Sequence, residues 1–263
     1  MILAYLRRMF AAPESVLPEV RVFSAPAGMR VYAVGDIHGQ SRLLTRMLAA
    51  IARDAAEHPA EKTVQIFLGD YIDRGLHSRE VIDQLIARPP SGHERICLMG
   101  NHEEALLGFL DDPTTLRGWA NFGGYATLAS YGVDIPKSMS PATLVELRDR
   151  FRQNLPVAHM AFLKNLQLTY ALGDYRFVHA GVMPGIPWEK QKREHLLWIR
   201  DPFLHHAGFF EHYIVHGHSP VRVPEIFPHR ANLDVSAAEK PSLCCLVIEG
   251  EQRRAIVVTD EKD

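Results

Sequence analysis

Cysteine is scarce in this sequence of 263 residues: there are three, Cys97 and the adjacent pair Cys244 and Cys245. An odd number with two neighbours makes no disulfide framework and suits a reducing compartment. No charge of one sign predominates, since 29 basic residues stand against 31 acidic ones for a net charge of −2. That balance excludes nucleic acid as the main partner, which calls for a strong basic excess. Nothing approaches the roughly 20 consecutive apolar residues that cross a bilayer, so no stable membrane insertion is expected. The opening MILAYLRRMFAAPE places Arg7 and Arg8 after only a short apolar start. A secretory signal runs in the other order, charges first and a longer apolar core after them, so a cytoplasmic protein is expected. Internal repeats and low-complexity tracts are also missing.

What remains is 47% hydrophobic and 23% charged, the balance of an ordinary soluble globular protein. Residues 1–29, with prolines at 13, 18 and 26, read as an irregular lead-in. Short apolar runs follow: VYAV (31–34), VQIFL (64–68), RICLM (95–99), YRFVH (175–179) and YIVH (213–216). Each is rich in strand-forming residues and ends in a polar or glycine turn, as buried strands of an α/β sheet do. Between them Leu43, Leu44, Met47, Leu48 and Ile51 recur at helical spacing. Ser78 can cap SREVIDQLIA, and Ser140-Pro141 can start ATLVELRDRFRQN. The alternation over 31–110 predicts parallel strands with crossover helices. The stretch at about 104–170 is mostly helical and reads as an insertion over one sheet edge. The end, LDVSAAEKPSLCCLVIEGEQRRAIVVTD, reads as strands joined by a turn near Gly250 and argues for a second sheet.

Polar residues of one chemical kind sit just past those strands. Asp36 and His38 follow the first, Asp70, Asp73 and Arg74 the second, and Asn101, His102 and Glu103 the third. His179 closes the fourth, and His216 and His218 follow the fifth. Ligands of open α/β sheets bind beyond the carboxyl ends of the strands. Any one of these groups is a common turn or helix cap. Five in order, each at a strand end, point instead to a metal-binding basin.

The blocks GDIHG, GDYIDRG, GNHE, HAG and GHS resemble those of the calcineurin-like metallophosphoesterases, and within them the phosphoprotein phosphatase family. WANFGGY and LLWIRDP resemble segments of the bacterial and phage-type serine/threonine phosphatases. The resemblance implies a four-layer α-β-β-α sandwich of two mixed sheets, formed by a single domain over 30–263. It implies that Asp36 and His38 hold one metal, that Asp70 bridges two, and that Asn101, His179 and His218 hold the second. Oxygen and imidazole donors without thiolate suit Mn²⁺, with Fe or Zn²⁺ as alternatives.

By the same resemblance Arg74 and Arg200 clamp the phosphate, His102 is the general acid and Asp73 orients it. The activity implied is dinuclear metal-dependent hydrolysis of phosphoserine and phosphothreonine in phosphoproteins or phosphopeptides, by direct attack of a metal-bridging hydroxide. A dinucleoside polyphosphate hydrolase shares the core and is the alternative, and a non-catalytic phosphate-binding module is a third reading. Arg200 has a surface ion pair with Asp201 or Glu194 as its plainer explanation. Glu103 is expected to support the site rather than ligate, and His218 rather than His216 is the expected ligand. The segment NLDVSA (232–237) carries Val and Ser where the family has Thr and Gly, and the tyrosine-containing segment of eukaryotic catalytic subunits is not recognisable. Regulatory subunits are accordingly not expected.

Overall fold

The computed structural model describes residues 21–236 and 240–260. Most of the expected lead-in thus lies outside the described residues. Its last part, 21–28, runs without regular structure into β1 (Met29–Val34). β1, β2 (Lys62–Phe67) and β3 (His93–Cys97) are parallel neighbours. α1 (Ser41–Glu57) and α2 (Ser78–Ile86) make the crossovers between them. Leu43, Leu44, Met47 and Ile51 form the buried stripe of α1, the expected amphipathic face. They pack with Tyr32, Val34 and Phe67 on the outer face of the sheet.

The chain from Asn101 to Lys164 is helical in five pieces: α3 (Asn101–Asp111), α4 (Leu116–Ala120), α5 (Gly124–Ser130), α6 (Pro141–Asn154) and α7 (Val157–Lys164). Ser140 caps α6 by accepting from the Thr143 N–H at 3.2 Å, with Pro141 following. Ser78 does not cap α2. It is the first residue of that helix, and its hydroxyl instead accepts from the Asp73 N–H at 3.1 Å.

A second sheet is formed by β4 (Thr169–Leu172), β5 (Tyr175–Val178), β6 (Tyr213–His216), β7 (Glu225–Ile226) and β8 (Arg230–Asn232). Its order is β4-β5-β6-β8-β7, with β5, β6 and β8 parallel. The C-terminal hairpin belongs elsewhere. β9 (Ser242–Glu249) and β10 (Gln252–Thr259) turn at Gly250, as expected, but join the first sheet in the order β10-β9-β1-β2-β3. β9 is buried along six of its eight positions because it lies antiparallel beside β1 in the middle of that sheet.

The architecture is therefore two mixed sheets face to face with helices outside. Val31, Ala33, Val64 and Ile66 of one sheet meet Tyr175, Phe177, Tyr213 and Val215 of the other. The outer face of the second sheet has a thin cover. Val178, Ala180 and Ile214 pack there under Phe203, Phe210 and the single short helix α8 (Arg193–Trp198).

Candidate active site: a buried Asp–His basin at the strand ends

Three of the five motifs leave their strands through a backbone that L-residues adopt reluctantly. Among the described residues the non-glycine positions with positive φ are His38, Asp70, Asp73, Arg74 and His218. All five belong to the predicted site. Such conformations cost on the order of 1–3 kcal/mol each and persist where the surroundings enforce them for function. Two glycines permit the close approach. A Cβ on Gly100 would lie 2.1 Å from Asp70 Oδ1, and one on Gly217 would lie 2.0 Å from Asp36 Oδ1.

The turns bring the expected residues together. His38, Asp70 and His102 offer donor atoms that all lie within 4.8 Å of one another, and so do Asp70, His179 and His218. Asp70 is common to both groups. Its Oδ2 faces His38 Nε2 at 3.7 Å and His102 Nε2 at 3.6 Å, while its Oδ1 faces His179 Nε2 at 3.3 Å. Asn101 Oδ1 lies 2.9 Å from His179 Nε2 and 2.8 Å from His218 Nδ1. Asp36 stands just outside these groups, where its carboxylate accepts from the His218 N–H at 3.1 Å. It lines a cavity of about 350 Å³ with His38, Gln40, Arg74 and Ser242.

The electrostatics describe a site short of positive charge. Burial, followed by the charges of Asp234 and Asp70, drives the Asp36 carboxyl well above the usual range. Burial pushes Asp70 up to about 6, and burial with the Asp70 charge pushes Glu103 up to about 7. Burial and neighbouring imidazoles hold His38 and His179 far below the ordinary value, and burial with the Arg200 charge brings His218 to about 3. Neutral imidazole is the ligating form. The His38 Nδ1–H donates to the Ile72 carbonyl at 3.0 Å, leaving a buried Nε2 with no partner. Buried imidazole nitrogens without a partner, His38 Nε2 and His218 Nε2, beside buried carboxylates are what divalent cations complete.

His216 is not part of the basin. Its Nε2 meets Arg230 Nη1 at 3.2 Å and its ring packs edge-on against Phe203. Glu103 touches the site through backbone alone, accepting from the N–H groups of Asp70, Tyr71 and Gly100 at 2.8–2.9 Å. α3 begins at Asn101, with Gly100 rather than Asn101 in the cap position. Arg74 and Arg200 are both exposed at the rim. Arg200 donates to the His218 carbonyl at 3.2 Å, whereas Asp201 pairs with His205.

The surroundings of His102 and Asp73 hold contacts that the motifs do not announce. His102 Nδ1–H donates to Asp73 Oδ2 at 2.7 Å. The same carboxylate accepts from the Trp119 indole N–H at 2.7 Å and from the Thr127 hydroxyl at 2.5 Å. Both come from the WANFGGYAT segment, and nothing local in it names Asp73 as their partner. Burial lowers the His102 pKa, but the Asp70 charge and the Asp73 hydrogen bond outweigh it and the net shift is upward.

Residues 29–245 match the calcineurin-like phosphoesterase family, and the chain belongs to that family of metal-dependent phosphoester hydrolases. Solved structures share the fold at low identity. A proposed diadenosine tetraphosphatase is 18% identical, with 90% of this chain and 100% of that one covered at a TM-score of 0.60. A cold-active protein-tyrosine phosphatase of a psychrophilic Shewanella is 16% identical, with 95% and 89% covered at 0.53. A protein serine/threonine phosphatase from Saccharomyces cerevisiae is 11% identical, with 90% and 81% covered at 0.51. The family works with two metal ions, and two donor groups sharing one carboxylate fit such a pair.

Proposed function

We propose that this protein is a dinuclear metal-dependent phosphomonoesterase that removes phosphate from phosphoserine and phosphothreonine in proteins. The observation that carries this reading is the His102–Asp73 pair at 2.7 Å, held by Trp119 and Thr127 beside the basin. A serine or threonine alkoxide is a strongly basic leaving group, and a positioned imidazolium is the group that makes its departure feasible. Asp36, His38 and Asp70 are assigned to one ion, and Asp70, Asn101, His179 and His218 to the other, Mn²⁺ by preference and Fe or Zn²⁺ as alternatives. Two ions bound there supply an acidified water and positive charge for the phosphoryl oxygens. Arg74 and Arg200 grip the non-bridging oxygens. His102 Nε2 gives its proton to the departing side-chain oxygen, while Asp73 holds the other ring nitrogen and stabilises the charged form.

The fold shared with a proposed diadenosine tetraphosphatase makes dinucleotide hydrolysis the second reading. A Mn²⁺-supplemented screen of phosphoserine, phosphothreonine and phosphotyrosine peptides beside diadenosine tetraphosphate separates the two. Turnover of the phosphoserine and phosphothreonine peptides is the expected outcome, and turnover of the dinucleotide alone would overturn the proposal.

A further inference from the structure

β3 is the last strand of its sheet, and its outer edge is closed at the two ends and open between them. The Leu98 N–H donates to the Phe67 carbonyl at 2.8 Å, so the main-chain groups of Glu94, Ile96 and Leu98 point toward β2. Alternation along the strand turns those of His93, Arg95 and Cys97 outward. At one end the His93 N–H donates to the Pro90 carbonyl at 3.0 Å, and at the other the Cys97 carbonyl accepts from the Gln167 N–H at 3.2 Å. Between these closures the His93 carbonyl, the Arg95 N–H and carbonyl, and the Cys97 N–H have no hydrogen-bonding partner among the described residues. Beside this window, on the face that carries the Arg95 and Cys97 side chains, a cavity of about 400 Å³ opens between the end of α2 and α7. Leu85, Ile86, Phe162 and Leu166 supply apolar walls, and the cavity shares no residue with the Asp–His basin. Arg95 is the one charged residue lining it. Its Nη1 donates to the carbonyls of Gln84, Leu85 and Ala87 at 2.9–3.1 Å, closing the end of α2, and no carboxylate pairs with it among the described residues.

From this placement we infer that the outer edge of β3 is a docking site for an extended peptide segment of a partner protein, with a large apolar residue at its centre and acidic residues beside it. The inference does not depend on the reading of the basin. Open N–H and C=O groups along a sheet edge are what an added strand pairs with, and side-chain pockets beside them choose the sequence. In either strand direction the residue at the middle of the window stands opposite Arg95 and shares its face. Its side chain therefore enters the apolar cavity. The uncompensated Arg95 charge attracts a carboxylate beside that residue and repels an ammonium group. A second copy of this chain is a poor occupant, because the long edge strand it could offer, β10, would bring Arg253 and Arg254 to Arg95. The closures at Pro90 and Gln167 also matter. They limit the edge to one short strand and bar open-ended sheet growth.

The test uses the full chain and a fluorescein-labelled peptide, Glu-Val-Leu-Val-Glu, beside the same peptide with lysine in place of leucine. Binding is read by fluorescence anisotropy and by amide hydrogen exchange. The leucine peptide is expected to bind saturably, and the lysine peptide roughly 10- to 100-fold more weakly, the scale of burying one leucine. Exchange at the Arg95 and Cys97 amides should slow on binding, while Leu98, already paired with Phe67, stays unchanged. Ala161→Trp, which fills the cavity from the exposed side of α7, should weaken the leucine peptide by a similar factor. The peptide comparison and the exchange measurement use the unaltered protein and so stand whether or not that variant folds. Absence of binding, equal binding of the two peptides, or unchanged exchange at Arg95 and Cys97 would overturn the proposal. A concentration-dependent dimer of the wild type, abolished by Ala161→Trp, would give the edge to a second copy and likewise overturn it.

Discussion

Replacing Asp73 by asparagine isolates the proposed proton-donor arrangement with little change of shape. The carboxylate accepts three hydrogen bonds, from His102, Trp119 and Thr127, at 2.5–2.7 Å in a fully buried position. An amide has one acceptor oxygen, so at least one of these donors must face an NH₂ group. A hydrogen bond to a charged group contributes about 1.5–3 kcal/mol and a neutral one about 0.5–1.5. The loss specific to protonated His102 is then about 1–2 kcal/mol, which is roughly one pKa unit. Its direction is fixed by the charge removed. Burial alone lowers the His102 pKa, and the Asp70 charge and the Asp73 contact raise it. Cations at Asp70 would neutralise much of the first of these, which leaves Asp73 to hold the imidazolium in the loaded enzyme. Without that charge the protonated form disappears at lower pH. The alkaline limb of the kcat profile on a phosphoserine peptide should therefore move down by about one pH unit. The loss should be smaller on p-nitrophenyl phosphate, whose leaving group departs without a proton. Metal content and thermal unfolding, measured on the same samples, separate this effect from collapse of the basin. A kcat lowered equally at every pH, with the alkaline limb in place, would refute the dyad.

Three further outcomes are expected. Asp70→Asn should abolish turnover and lower bound metal measured by elemental analysis, because Asp70 serves both donor groups; His218→Ala should lose more metal than His216→Ala, and the reverse order would mean that the H-G-H turn is misassigned. Arg200→Ala should reduce kcat/KM roughly 10- to 100-fold on every phosphomonoester with metal content intact, and unchanged kinetics would return Arg200 to a surface role. Asp54→Asn should flatten the acid end of the stability curve. Although burial opposes it, the Tyr32 and Arg254 hydrogen bonds hold the Asp54 carboxyl below its ordinary value. The stability it contributes is thus present above the unfolded value near 4 and is lost as pH falls through the lower folded value. Urea titrations at pH 6 and pH 3 should show the wild type losing more of its advantage over the variant at the lower pH, and parallel curves would sink the assignment.

Much of the basin is legible in the sequence because its parts are local. A strand that ends in a tight turn delivers Asp36 and His38, or Asp70, Asp73 and Arg74, within a few residues of one another, so the chemistry survives as a short string. The contacts that hold Asp73 do not. Trp119 and Thr127 reach it from 46 and 54 positions away, and no periodicity records a partnership at that distance. Ser78 misleads for a related reason. A serine before a helical stretch looks like a cap, but the Ser78 hydroxyl turns back to accept from the Asp73 N–H and meets the distant Thr127 hydroxyl at 3.1 Å. The sheets divide in the same way. The parallel order of β1, β2 and β3 follows from the alternation of strand and helix, whereas the place of the hairpin depends on pairing between residues such as Arg30 and Glu249, which nothing in the hairpin sequence specifies.

That pairing has a consequence for how the molecule is made. During synthesis β1 emerges among the first described residues, yet its second neighbour, β9, is translated some two hundred codons later. Until then one side of a mostly apolar strand has no hydrogen-bonding partner, its Arg30 has no Glu249 to pair with, and the turn carrying Asp36 and His38 hangs from a half-built sheet. Late closure of so distant a contact slows folding and leaves an adhesive edge in the nascent chain. A ribosome stalled before β9 should therefore carry a polypeptide that binds chaperones and holds no ordered metal pair, whatever has already formed in its helices.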